Sequence, residues 1–193
     1  MHIEPGVVNG AKIVLSYATA AGSVGFAAKL AFDTIKTDGL LSLAARSIAT
    51  TALVFIFFEV LPHHPVGVSE VHLIMGSTLF LIFGAAPAAI GLALGLLIQG
   101  LFFAPFDLPQ YGINVTTLLA PLFAMQMLAG HIIARNTAYK DISYLQALSL
   151  STAYQGGIVT WVAFWAFYGQ GFGAANIASV ATFGAAYMTV IIV

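Results

Sequence analysis

Residues 71–105 read VHLIMGSTLFLIFGAAPAAIGLALGLLIQGLFFAP, 35 residues without one Asp, Glu, Lys or Arg. As a single helix this run would extend roughly 52 Å, against a bilayer hydrocarbon core of about 30 Å. Two shorter helices must share it, and Gly84-Ala85-Ala86-Pro87 supplies a break near its middle. The pattern continues in both directions. Val7–Phe32, Leu40–Leu61, Ile113–Arg135, Ile142–Tyr168 and Phe172–Val193 each have the length and apolar content of one crossing. Pro121 marks a kink in the third of these. The reading is an all-α, polytopic membrane bundle of about seven transmembrane helices. It forms one domain over 1–193, in which 1–6 is an N-terminal segment and 7–193 the bundle.

Composition closes off other classes. The chain of 193 residues is 60% hydrophobic and 7% charged, whereas a soluble domain is about 25% charged; mean hydropathy is +0.98. Six Lys plus Arg against seven Asp plus Glu offer no basic face for nucleic acid. With no cysteine, disulfides, thiolate metal sites and cysteine nucleophiles are excluded. The start, Met1-His2-Ile3-Glu4-Pro5-Gly6, lacks the basic region of a cleaved signal peptide. There is no Walker A motif, dinucleotide loop or His-Glu-x-x-His motif. No enzyme is expected, and energy for uphill transport must come from another chain. The protein is expected to be multi-pass in the cell (inner) membrane.

Charge orients the bundle. Lys29, Lys36, Arg46, Arg135 and Lys140 fall on one set of alternate connections, and only Lys12 on the other. Because Lys and Arg favour the cytoplasmic side, the N-terminus is expected outside and the C-terminus inside. His2, Glu4, Glu59, His63, His64, Glu70, His72 and Asp107 then share the outer face. Such a face attracts cations, and neutral imidazoles ligate transition metals.

His2 is the most informative position. Its bulk should prevent removal of Met1. The α-amine of Met1, the His2 amide nitrogen and the His2 imidazole then close fused chelate rings on one metal. A fourth nitrogen from a second imidazole completes a square plane, a geometry suited to Ni(II) or Cu(II) and open to Co(II). His72, beside Ser69 and Glu70 at the outer mouth of the third helix, is a histidine of the same face.

These residues resemble the substrate-binding membrane subunits of cobalt and nickel energy-coupling-factor transporters, the CbiM/NikM type. The resemblance rests on Met1-His2-Ile3 with Gly6, Ser69-Glu70-Val71-His72-Leu73, Gly84-Ala-Ala-Pro87, Gln99-Gly-Leu-Phe-Phe103 and Tyr111-Gly-Ile-Asn114. It implies a Co(II) or Ni(II) substrate, with no organic cofactor, and an N-terminal segment plugged into the bundle. The ligands it implies are Met1, His2 and His72, with Asn114 as an outer-sphere or loop-ordering residue. It also implies partners: a transmembrane coupling subunit and ATPase subunits. The family's acidic-Gly ending after Met-His-Ile and its Gly-Gly-Thr-Ser approach to the internal histidine are replaced here by Glu4-Pro5-Gly6 and Gly67-Val68-Ser69-Glu70. A second reading is a related chain kept as a structural or assembly subunit of another membrane complex. A third, a bis-histidine haem protein using His64 or His72, lacks a helix-borne partner for His72.

Other features take lesser roles. His63-His64, between Pro62 and Pro65, is a candidate metal relay, as is Glu70. Glu59 is a candidate for tuning the site. His131 belongs to the inner end of its helix. Gly91-Leu-Ala-Leu-Gly95 and the row Ala20, Ala21, Gly22, Gly25 are surfaces for close helix packing. Trp161 and Trp165 read as an aromatic belt at the outer interface.

Overall fold

Gly84 breaks the long apolar run. Its φ of +90° costs glycine little and any other residue much, and it parts a helix over Gly76–Phe83 from one over Ala85–Phe102. The computed structural model describes residues 3–134 and 137–192. Within them the helices are α1 (Val14–Asp38), α2 (Leu40–Phe55), α3 (Gly76–Phe83), α4 (Ala85–Phe102), α5 (Tyr111–Ile132), α6 (Tyr144–Gln170) and α7 (Ala174–Tyr187). A short antiparallel hairpin, β1 (His64–Val66) and β2 (Ser69–Val71), stands between α2 and α3. The seven helices follow the order read from hydropathy.

Two boundaries differ from the sequence reading. The first helix does not start at Val7. The chain turns at Gly6 (φ +94°), winds tightly over Gly10–Ile13 and enters α1, which runs past Phe32 to Asp38. The third crossing is helical only in its second half. Residues 72–75 have no regular structure, and α3 alone, 8 residues long, rises only about 12 Å. Non-helical backbone survives at membrane depth only where protein surrounds it. Here His72 and Ile74 are fully buried, and Gln155 of α6 donates its Nε2 hydrogen to the Ile74 carbonyl at 2.7 Å.

By length and composition, Gly10–Asp38, Leu40–Val60, Ala85–Phe102, Pro105–Ile132 and Ala174–Ile192 qualify as membrane spans. The longer α6 is interrupted by Ser149, Ser151, Thr152 and Gln155. Alternate connections gather at opposite ends. At one end, Arg46 pairs with Asp38 and donates to the Phe83 carbonyl, tying the α1–α2 turn to the α3–α4 turn; Gln146 reaches Ile132 across the α5–α6 connection. At the other lie the N-terminal segment, the hairpin and the end of α6, whose carbonyls at Tyr168 and Gly169 accept from Lys12 Nζ.

The small-residue motif in α4 serves packing inside the bundle. A Cβ at Gly91 would overlap Thr50, and one at Gly95 would lie 2.6 Å from Val54 Cγ1, so α2 and α4 approach closely; Thr50 Oγ1 also donates to the Pro87 carbonyl at 2.7 Å. By contrast Gly22 and Gly25 of α1 face open space. Trp165 is a correction: it is fully buried, because α6 packs against both α5 and α7, and it belongs to the core rather than to an interfacial belt. Gly91→Ala should therefore lower stability by about 1–3 kcal/mol through overpacking, whereas Gly22→Ala should be neutral or slightly stabilising. Thermal unfolding of the detergent-solubilised variants checks the contrast.

Candidate metal site

The hairpin builds the site by register. His64 pairs with Val71, Pro65 with Glu70 and Val66 with Ser69, around a two-residue turn in which Gly67 holds φ +63°. Continued one step, that register sets His63 opposite His72. Residues two apart on a strand share a face, as do residues paired across it, so His63, Glu70 and His72 converge. Their ligand atoms all lie within 4.8 Å of one another. His72 Nε2 is 3.0 Å from Glu70 Oε2, and His63 Nδ1 is 3.9 Å from the same oxygen. The two imidazoles stack with centroids 4.6 Å apart and planes 3° from parallel, and Phe58 closes on His72 at 5.0 Å. His64, one residue out of phase, is exposed and stands outside this group.

The N-terminal segment docks against the same hairpin. Ile3 is bridged to Ser69, the Glu4 amide donates to the Val68 carbonyl at 3.3 Å, and the Ile3 amide donates to Asn114 Oδ1 at 3.0 Å. Ile3, Val7 and Val8 are buried, with Val7 pressed against Gly169 of α6, where a Cβ would overlap its carbonyl. Asn114 of α5 thus holds the backbone that follows His2. Met1 and His2 themselves lie outside the described residues.

Carboxylates surround this end. Glu4 is pushed above the usual carboxylate range, first by burial and then by repulsion from Glu70. Asp107, buried in the turn Pro105–Gln110, lies within electrostatic range of both Glu70 and Glu4. Glu59, half-buried in the wide turn Ile56–Val60 that ends α2, accepts from Gln99 Nε2 at 3.5 Å. His131 sits in the last turn of α5, exposed, with Nδ1 at 3.2 Å from the Met127 carbonyl, at the end remote from this group. Sequence reading passed over Gln155 and the inward placement of Asp107. A polar side chain midway along a membrane helix was the available signal for Gln155.

A polytopic helical bundle with a histidine–carboxylate group at one mouth defines a membrane protein equipped to take up cations. Residues 2–193 match the family model described as CbiM, cobalt uptake substrate-specific transmembrane region, and the chain belongs to that family. No curated protein and no solved structure matches it. It is a non-catalytic membrane component of cobalt uptake, and its family implies the components of an energy-coupling-factor transporter complex.

Asn114→Leu would leave the Ile3 amide without its acceptor, a loss of about 1–3 kcal/mol. Hydrogen exchange at Ile3 should accelerate by roughly 5- to 160-fold, the factor those energies correspond to, while exchange in the α2–α4 core stays slow.

Proposed function

We propose that this chain captures Co(II) or Ni(II) from outside the cell and holds it at a site of nitrogen donors: the Met1 α-amine, the His2 amide and imidazole, and His72. Residues 1–6 act as the metal-binding segment and 7–193 as the bundle that receives it, within one domain. The observation that carries this reading is the docking of Ile3. Its bridge to Ser69 places the residue after His2 on the strand leading into His72, and its bond to Asn114 fixes that position against α5. The lysine and arginine distribution supports an outward-facing mouth. A square plane of four nitrogens suits Ni(II) and accommodates Co(II), so the donor set accounts for either cargo.

The chemistry follows from the donors. Amine, amide and imidazoles must lose protons to bind, so affinity falls as pH drops through the imidazole range near about 6.5. Burial of His72 shields the bound ion from competing water. ATP-driven work belongs to the partner subunits, and α1, which faces outward with its Gly22 and Gly25 open, offers a partner helix a close approach.

Extending the chain ahead of Met1 should abolish high-affinity binding, and equally tight binding by extended and native-terminus proteins would refute the amine ligand. His72→Ala should weaken binding by roughly 100-fold or more, beyond the 10- to 100-fold typical of outer-sphere partners, while His131→Ala should leave it unchanged; titration calorimetry separates these. Gly22→Leu or Gly25→Leu should block transport in cells carrying the whole complex, yet leave metal binding by the isolated subunit intact.

A further inference from the structure

His63 and Glu70 lie outside the donor set just described, yet they share a face with His72. Exposure falls steadily across the three side chains: His63 is 39% exposed, Glu70 24% and His72 0%. One carboxylate oxygen, Glu70 Oε2, is common to both contacts, at 3.9 Å from the outer imidazole and 3.0 Å from the inner one. We propose that His63 and Glu70 form an entry site that takes a hydrated divalent transition-metal ion from solution and hands it along Glu70 to His72.

The distances favour a stepwise transfer. Donors around a four-coordinate ion with bonds of about 2.1 Å sit roughly 3.4 Å apart, and the two contacts to Glu70 bracket that value. On the side of the exposed His63, closing from 3.9 Å to that spacing takes a shift of about 0.5 Å. Imidazole nitrogen with carboxylate oxygen is a donor pair that late first-row divalent ions accept in tetrahedral or octahedral surroundings. At the inner position the ion takes the place of the proton shared by His72 Nε2 and Glu70. That proton leaves to water, the ion sheds aqua ligands as protein donors replace them, and no electron is transferred. The carboxylate that fixes the His72 ring before loading is therefore the group that delivers the metal. Glu4 and Asp107, facing the same region, add negative potential that raises the local cation concentration. The hand-over to His72 rests on the binding site proposed above, whereas capture by His63 and Glu70 does not.

The test uses the full-length, detergent-solubilised protein with its native N-terminus and Co(II) alone. In His2→Phe, which removes the imidazole ligand of the inner site while keeping a bulky second residue that retains Met1, Co(II) should still bind, more weakly, with the visible absorption of a four- or five-coordinate ion bearing oxygen and nitrogen donors. Adding His63→Asn or Glu70→Gln should remove that signal. With His2 present, the same two substitutions should slow Co(II) uptake by roughly tenfold or more, within the range of electrostatic capture, and His64→Ala should not. Thermal unfolding of each variant confirms that it is folded. Absence of Co(II) binding in a folded His2→Phe protein, or uptake rates indifferent to Glu70→Gln, would overturn the entry site. If His2→Phe binds Co(II) as tightly as the unaltered chain, the inner site fails instead, and the entry site is judged by its dependence on His63 and Glu70.

Discussion

The bilayer core offers a backbone N–H or C=O no partner, and the third crossing meets that constraint in an unusual way. A histidine carried by a regular helix would project at a fixed angle from a hydrogen-bonded cylinder. His72 instead sits on irregular backbone, and the protein supplies the missing partners: Gln155 for the Ile74 carbonyl, and the Ile74 amide turned back onto the His72 carbonyl. Everything at the site follows from that substitution. Because 72–75 is not helical, the β2 strand leads straight into the buried histidine, and the face that holds Glu70 continues to His72 without a change of direction.

The N-terminal segment completes the arrangement by the same means. It adds backbone bonds to the hairpin through Ile3 and Glu4, and takes its remaining acceptor from Asn114. Buried Ile3, Val7 and Val8 contribute apolar area, about 25 cal/mol for each Å² removed from water, although the polar bonds set the position. Lys12, engaged by the last carbonyls of α6, secures the chain as it enters α1. Its charge is thereby spent on the helix terminus, which leaves the carboxylates to dominate the potential around the mouth.

Much of this architecture was legible in the sequence. Apolar runs without charge gave the helices and their order, and Gly84 with Pro87 gave the break, because length and turn chemistry are local properties. The irregular stretch 72–75 was not legible, since Leu73-Ile74-Met75 is as apolar as any helix and its unwinding depends on a distant glutamine. Trp165 misled for a related reason: an aromatic near a helix end reads as interfacial until neighbouring helices are known to surround it. At the candidate site, His72 was singled out by its place on the outer face and, with Asn114, by family resemblance, and His63 and Glu70 as candidate relays. What separated His63 from His64 was strand register, which reverses with a shift of one residue and is fixed only once the Gly67 turn is placed.

Unequal helix lengths carry a consequence for the membrane itself. At 27 residues, α6 rises about 40 Å, roughly 10 Å more than the hydrocarbon core, whereas α4 with 18 residues nearly matches it. The excess length of α6 is capped by Ser143 and Gln146 at one end and covered by Val7 against Gly169 at the other. A helix longer than the bilayer core is accommodated by tilt, which packing against its neighbours sets, and α6 packs on α3, α5 and α7. Because Val7 rests directly on Gly169, the seating of the N-terminal segment depends on where this end of α6 stands.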